Sequence, residues 1–159
     1  MEKHTLGDYT ISLKTMMLEP IADPVYQTKI FDIDGQFYSK KTPLELIKDS
    51  CLTQTYSTYE GRRHAIQQKY NIKNNVPIPL DHRTYLCAIP TSSPKRWDCS
   101  WIFYGQVERF DSHGKDTKIH FYNKDVTVLK ISLTKIKRQY MRTGHLLAKM
   151  NLTDLKQTL

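Results

Sequence analysis

Residues 30–47 read IFDIDGQFYSKKTPLELI and predict both kinds of secondary structure in the fold. Apolar and β-branched residues precede Asp34-Gly35, and aromatic residues follow it. This pattern predicts a β-hairpin, because glycine adopts a positive φ at little cost. We therefore predict strands over residues 25–33 and 36–39.

A helix is predicted immediately after the hairpin. Thr42 stands before Pro43, and Glu45 follows the threonine by three positions. A threonine N-cap with proline in the first turn and glutamate at the third position is typical of a capping box. We predict a helix over residues 43–51, with Leu44, Ile47 and Cys51 on one face.

The rest of the chain extends this alternation of strands and helices. Two prolines within residues 76–80 place that strand at a sheet edge, and residues 91–98 form a loop. Trp97 and Trp101 are expected in the core, the usual position of tryptophan. The predicted strands are residues 9–18, 76–80, 85–89, 101–110, 117–122 and 126–132, and the predicted further helices are Tyr59–Tyr70 and residues 134–150.

The predicted fold class is α+β: an antiparallel β-sheet or partly open barrel with two inserted helices and a C-terminal basic helix. The chain has 159 residues, so we expect one domain over residues 1–159. The first two helices leave a helix-turn-helix open as an alternative, although their gap is longer than the usual turn.

The last predicted helix separates basic and apolar residues onto different faces. At 100° per residue, the cationic face covers about 80° and extends about 21 Å. A row of that length suits a polyanion, although a solvated basic face is the simpler alternative. The row consists of Lys135, Arg138, Arg142, His145 and Lys149, and the apolar face of Ile136, Tyr140, Leu147 and Met150.

Net charge is +8 and is concentrated in two blocks. Residues 35–75 carry seven cations against three acids, and residues 134–159 carry six cations against one acid. Such concentration is typical of nucleic-acid-binding proteins, and also of heparin-binding, ribosome-associated or membrane-surface proteins.

Three cysteines, with no CxxC pair, argue against a disulfide framework or a zinc ribbon. The N-terminus lacks the pattern of a signal peptide, and no apolar run is long enough to cross a membrane. We expect a cytoplasmic protein with reduced, mostly buried thiols, no membrane association, no metal and no cofactor.

Basic residues interleaved with aromatic residues supply the candidate site. Arginine and lysine neutralise phosphates, and arginine also enters a narrow minor groove. Ion pairing on the helix surface is the structural alternative for Arg62 and Arg63, and a solvated loop for Lys95 and Arg96. The candidate DNA-binding residues are Tyr59, Arg62, Arg63, Lys69, Lys95, Arg96, Lys135, Arg138, Arg142 and Lys149.

No nucleophile elbow, P-loop, dinucleotide-binding glycine pattern or HExxH motif occurs, so an enzyme is not expected. A β-barrel that binds RNA or single strands by stacking tyrosines remains an alternative. A metal-dependent nuclease and a regulatory paralogue that does not activate transcription are further alternatives.

An ordered series of short motifs resembles the ComK family of competence transcription factors. No single motif is specific, but together they cover about residues 25–150 in the family's order. The series consists of Ser50-Cys51, Ser57-x-Tyr59-x-Gly61-Arg62, Pro77-Ile78, Pro90-Thr91-x-Ser93, Cys99-x-Trp101-Ile102, residues 117–123, Ile131-Ser132 and Gln139-x-x-Arg142-Thr143.

The resemblance implies a sequence-specific transcriptional activator of DNA-uptake genes. Its expected partner is double-stranded DNA with paired A/T-rich promoter boxes, recognised mainly through the minor groove. A homodimer or higher homo-oligomer is implied, and RNA polymerase is a possible further partner. In longer relatives, a C-terminal tail is tied to adaptor-mediated proteolysis. Because this chain ends at Leu159, we do not expect recognition by an adaptor or protease.

Overall fold

The computed structural model describes residues 4–5 and 9–158 and has an α+β fold, as predicted. One sheet has the strand order β1-β4-β3-β2-β7-β6-β5, and a second has the order β10-β9-β8. Only the pairing of β1 with β4 is parallel among these strands. The strands are β1 (His4–Thr5), β2 (Thr15–Pro20), β3 (Thr28–Asp32), β4 (Gly35–Ser39), β5 (Ile78–Asp81), β6 (Leu86–Pro90), β7 (Trp101–Phe103), β8 (Val107–His113), β9 (Asp116–Phe121) and β10 (Val126–Leu129).

The hairpin and the first helix form as their sequence predicts. Asp32 pairs with Gly35 across the β3–β4 turn, where glycine has a φ of 135°. Helix α1 (Pro43–Ser50) begins with a complete capping box. The Thr42 hydroxyl accepts the backbone N–H of Glu45 at 3.1 Å, and the Glu45 carboxylate accepts the backbone N–H of Thr42 at 3.3 Å.

Helix α2 (Tyr59–Tyr70) has the predicted bounds, but its connection to α1 is not that of a helix-turn-helix. A π-helical turn over Cys51–Thr55 continues directly from α1. Tyr56 then adopts a left-handed φ of 55°, which ends this turn before Thr58 caps α2. The two helices are therefore joined by a helical extension and a reversal rather than by a short tight turn.

The single strand predicted over residues 101–110 is wrong. The chain leaves the large sheet after β7, makes a 3-10 turn over Tyr104–Gln106 and enters the small sheet as β8. The buried side chains of Phe103 and Val107, on either side of this turn, belong to different hydrophobic clusters. A continuous strand would keep both residues in one sheet, so the turn separates two antiparallel sheets and no closed barrel forms.

Helix α3 (Leu133–Gln157) packs against both hydrophobic clusters and is longer than predicted. Ile136 is buried in a cluster that contains residues of both sheets, and Leu146 in a cluster formed by the large sheet with α1 and α2. The ring of Tyr140 stacks on Tyr104 with 4.4 Å between centroids. A Cβ at Gly144 would lie 2.5 Å from the Tyr104 hydroxyl, so glycine permits this close approach.

Candidate nucleic-acid interface

The cationic row of α3 occupies the side of the helix that faces away from the core. Ser132 caps the helix through its hydroxyl, which accepts the backbone N–H of Lys135 at 3.3 Å. Ile136, Gln139, Thr143, Leu146 and Leu147 are buried. Because these inward positions fix the rotation of the helix, the positions between them point outward.

Lys135, Arg138 and Lys149 are exposed, and their side chains form no ion pair with any residue in the described part of the chain. His145 is also exposed on this side. Lys149 follows Lys135 by fourteen positions, which corresponds to about 21 Å along the helix axis at 1.5 Å per residue. These three cations form an open row that an extended polyanion could contact. We call this set the α3 row.

Arg142 lies between members of the row but is held differently. Its Nη2 atom donates hydrogen bonds to the carbonyls of Asn74 and Asn75, at 3.1 and 2.7 Å. Its Nε atom is buried and has no hydrogen-bond partner among the described residues. Burial lowers the pKa of the guanidinium below its usual value. Arg142 therefore ties α3 to the loop after α2, and its guanidinium is already engaged there.

The arginines of α2 differ from each other in the same way. The Nε atom of Arg62 donates to the carbonyl of Pro79 in β5. Burial lowers the pKa of the Arg62 guanidinium, and the hydrogen bond joins α2 to the sheet. Arg63 is half-buried and forms no hydrogen bond or ion pair with the residues that the structure describes.

The two other α2 residues in the predicted set differ in exposure. Tyr59 is only 7% exposed, and burial raises the pKa of its hydroxyl. It is therefore a core residue and is unavailable for stacking on a base. Lys69 is exposed and lies over the ring of Tyr70, with 5.7 Å between Nζ and the centroid.

The loop between β6 and β7 contains one paired cation and one unpaired cation. Arg96 binds Asp98 through two hydrogen bonds, at 2.9 and 3.0 Å. The hydrogen bond from Arg96 lowers the pKa of the Asp98 carboxyl, and the charge of nearby Lys130 adds to this effect. Lys95 is exposed and has no such partner in the described chain. Both residues lie in an exposed loop, as the alternative of a solvated loop describes, but Arg96 is paired with an acid, whereas Lys95 is not.

Trp97 is exposed, which contradicts the prediction that both tryptophans lie in the core. Its side chain is 77% exposed, whereas Trp101 is 1% exposed and buried in β7. The two residues differ in their sequence context. Trp101 is the first residue of strand β7, whereas Trp97 lies in a loop between the charged residues Arg96 and Asp98. That position was the available signal for its exposure.

One cleft of about 540 Å³ brings the loop and the start of α3 together. Arg96 and Trp97 line one side, and Lys130 and Lys135 line the other. Glu19 contributes a carboxylate to the same cleft. Lys130 was absent from the predicted set, because its proximity to the loop arises from the packing of β10 and not from local sequence.

The far end of α3 is held by a separate polar cluster. His82 Nε2 lies 2.6 Å from an Asp154 carboxylate oxygen, and Asn151 donates to the carbonyl of His82 at 3.0 Å. The hydrogen bond with His82 lowers the pKa of the Asp154 carboxyl, and the charges of His82, Arg83 and Lys69 act in the same direction. These contacts fix the last turns of the helix against the body.

The three cysteines are free and buried, in agreement with the predicted reduced thiols. Burial raises the pKa of the Cys51 thiol to about 11, so this group remains protonated at neutral pH. No helix in the described part of the chain has the length and apolar composition needed to cross a membrane.

Comparison with known families identifies the class of protein. The family model described as ComK protein matches residues 6–154, a wider range than the resemblance noted over residues 25–150. The chain belongs to the ComK family, a family of competence transcription factors. No curated protein and no solved structure matches the chain.

Proposed function

We propose that this chain is a duplex-DNA-binding transcriptional activator of competence genes. The observation that carries the proposal is the α3 row: Lys135, Arg138 and Lys149 are exposed and unpaired in a member of a transcription-factor family. Cations neutralise backbone phosphates and release their counterions. At 3.4 Å per base pair, a row of about 21 Å matches about six base pairs of duplex.

We further propose that the preferred sites are paired A/T-rich boxes read mainly through the minor groove. A/T tracts narrow this groove and strengthen its negative potential, which favours inserted arginine. Arg138 is the exposed arginine of the row and is therefore the proposed groove contact. Paired boxes suit a symmetric dimer. We propose that the dimer acts in the cytoplasm and that each whole chain is one DNA-binding domain.

A mobility-shift assay tests the preference for A/T-rich duplexes. At about 150 mM salt, the protein is expected to bind a duplex with two A/T boxes more tightly than a G/C-rich duplex of equal length. Equal affinity for both duplexes would contradict groove recognition. Arg138→Ala is expected to weaken binding to the A/T duplex by about 1–3 kcal/mol.

A footprint on a promoter with two A/T boxes tests the dimer. Protection of both boxes at the same protein concentration, one or two helical turns apart, is expected for a symmetric dimer. Transcription with purified RNA polymerase on the same promoter then separates activation from binding alone. Occupied boxes without increased transcript would indicate a regulatory protein that does not activate.

A further inference from the structure

The loop between β6 and β7 presents one large aromatic ring on a fixed backbone. At its base, Thr91 and Ser100 exchange hydrogen bonds: the N–H of Thr91 donates to the Ser100 carbonyl at 2.9 Å, and the N–H of Ser100 donates to the Thr91 hydroxyl at 3.2 Å. Within the loop, the backbone N–H of Arg96 donates to the carbonyl of Ser93, and the backbone N–H of Cys99 donates to the carbonyl of Arg96. The position of the loop is therefore set before any partner binds.

The neighbours of Trp97 hold its ring outward. Arg96 and Asp98 flank the tryptophan and pair with each other through two hydrogen bonds. Cys99 is buried and fixes the next position in the core. The indole stays 77% exposed as a result. An exposed tryptophan forgoes a large burial of apolar surface, and such residues are enriched where a partner supplies that burial.

The charges around Trp97 favour a polyanionic partner. Lys95 stands two residues before it, and Lys130 and Lys135 line the opposite side of the cleft. The acids nearby are Asp98, which is already paired with Arg96, and Glu19. Lys135 also belongs to the α3 row, so the loop and the row are continuous at the start of the helix.

We propose that Trp97 enters the minor groove as an apolar wedge and inserts its indole between adjacent base pairs of duplex DNA. This inference rests on the proposed function, because the surrounding lysines would hold the phosphates while the ring unstacks one base step. Minor-groove proteins use apolar side chains in this way and kink the duplex toward the major groove. The loop would thus deform the DNA, and the two lysines of the α3 row would bind its backbone.

Fluorescence in the full chain tests the wedge directly. Trp101 is 1% exposed and serves as an internal reference, so quenching by acrylamide in the free protein reports mainly Trp97. Addition of a duplex with two A/T boxes is expected to quench the Trp97 emission and to protect it from acrylamide. A fluorescent adenine analogue in the duplex is expected to brighten at one unstacked step.

Variants separate stacking from charge. Trp97→Ala is expected to weaken binding to the A/T duplex by roughly 10-fold to 100-fold, as for loss of one base–aromatic stack. Trp97→Phe is expected to recover most of this loss, and neither variant is expected to change the salt dependence of binding. Tyr56→Ala is the matched control, because Tyr56 is 91% exposed and lies outside the cleft.

The possible results distinguish the wedge from the proposed function. Normal duplex binding by Trp97→Ala, or a Trp97 that remains open to acrylamide in the complex, would overturn the wedge and leave DNA binding intact. Stronger quenching by single-stranded DNA than by duplex would also overturn it, in favour of a stacking platform. Failure of the wild-type chain to bind any duplex would remove the proposed function and the wedge together.

Discussion

Helices α2 and α3 both lie in basic blocks of the sequence, yet the structure uses their charges differently. On α2, Arg62 donates to a carbonyl of the sheet, and Lys69 lies over a neighbouring ring. On α3, Lys135, Arg138 and Lys149 are exposed without an ion pair to the described residues. The comparison shows that net charge alone does not tell which cations are left open to a partner, because hydrogen bonding and burial engage some of them.

The largest expected effect follows from neutralising the α3 row. The triple variant Lys135→Gln, Arg138→Gln and Lys149→Gln is expected to lose about 100-fold in duplex affinity at about 150 mM salt. The slope of log affinity against log salt concentration should fall in magnitude by about 2, because Lys135 and Lys149 each lose a phosphate contact, whereas Arg138 is assigned to the groove. Titrations at several salt concentrations measure both quantities. An unchanged slope would transfer the contact surface away from α3.

Arg138 and Arg142 provide a sharper comparison within one helix. Arg142→Met is expected to lower the free energy of unfolding by about 2 kcal/mol, because it removes two charge-assisted hydrogen bonds to carbonyls. Arg138→Met is expected to leave stability within about 0.5 kcal/mol of wild type. Urea unfolding measures stability.

Duplex binding should respond to these two substitutions in the opposite order. Arg138→Met is expected to weaken binding to the A/T duplex by about 10-fold, as for a lost groove contact. Folded Arg142→Met should lose less, since its guanidinium is already engaged with the Asn74–Asn75 backbone. If Arg142→Met weakens binding more than Arg138→Met does, the assignment of the two arginines is reversed.

On α2, adjacent arginines give a smaller contrast of the same kind. Arg62→Met is expected to lower the free energy of unfolding by about 1.5 kcal/mol, because the Pro79 carbonyl loses a charged donor. Arg63→Met is the matched control and should change stability by less than about 0.5 kcal/mol. Thermal and urea unfolding of both variants measure the difference. Equal losses would show that Arg62 adds nothing beyond a surface charge.

The smallest effect concerns the end of α3 and depends on pH. Because the pKa of Asp154 is lowered in the folded state, chiefly by the hydrogen bond with His82, the ionised carboxylate is the favoured form. This contribution is present above the unfolded pKa of about 3.9 and is lost as pH falls through the folded value. Asp154→Asn should therefore be less stable than wild type at pH 7, and the gap should close in acid.

Unfolding of wild type and Asp154→Asn across this pH range measures the gap. In a His82→Phe background, Asp154→Asn should have a smaller effect at neutral pH, because the hydrogen bond from His82 is already absent. A gap of the same size at every pH would instead indicate a loss that does not involve the carboxylate charge.

Local signals in the sequence predicted local structure well. The Asp34-Gly35 turn and the Thr42 capping box each involve residues within a few positions, so their geometry follows from the residues themselves. The bounds of α2 follow from its cap and apolar spacing for the same reason. The family resemblance was confirmed by the family match over residues 6–154.

Features that depend on distant parts of the chain were not predictable in this way. The break at Tyr104–Gln106 had a local signal in Gly105, which weakens a strand, but the passage of the chain into a second sheet depends on distant strands. Arg142 differs from Arg138 only because the Asn74–Asn75 loop lies beside it. The prediction for Trp97 followed the general preference of tryptophan for the core, whereas the residue lies in an exposed loop between the paired Arg96 and Asp98.

The packing of α3 on both sheets constrains how this protein can diverge. Ile136 and Leu146 lie in separate hydrophobic clusters, so the inward side of α3 packs against both clusters. The outward residues of the helix do not have this packing role. Under the proposed function, related proteins could change the DNA sequence that they prefer by substituting outward side chains, at little cost to the free energy of folding. Substitutions at the inward positions of α3 should be far rarer than at the outward positions.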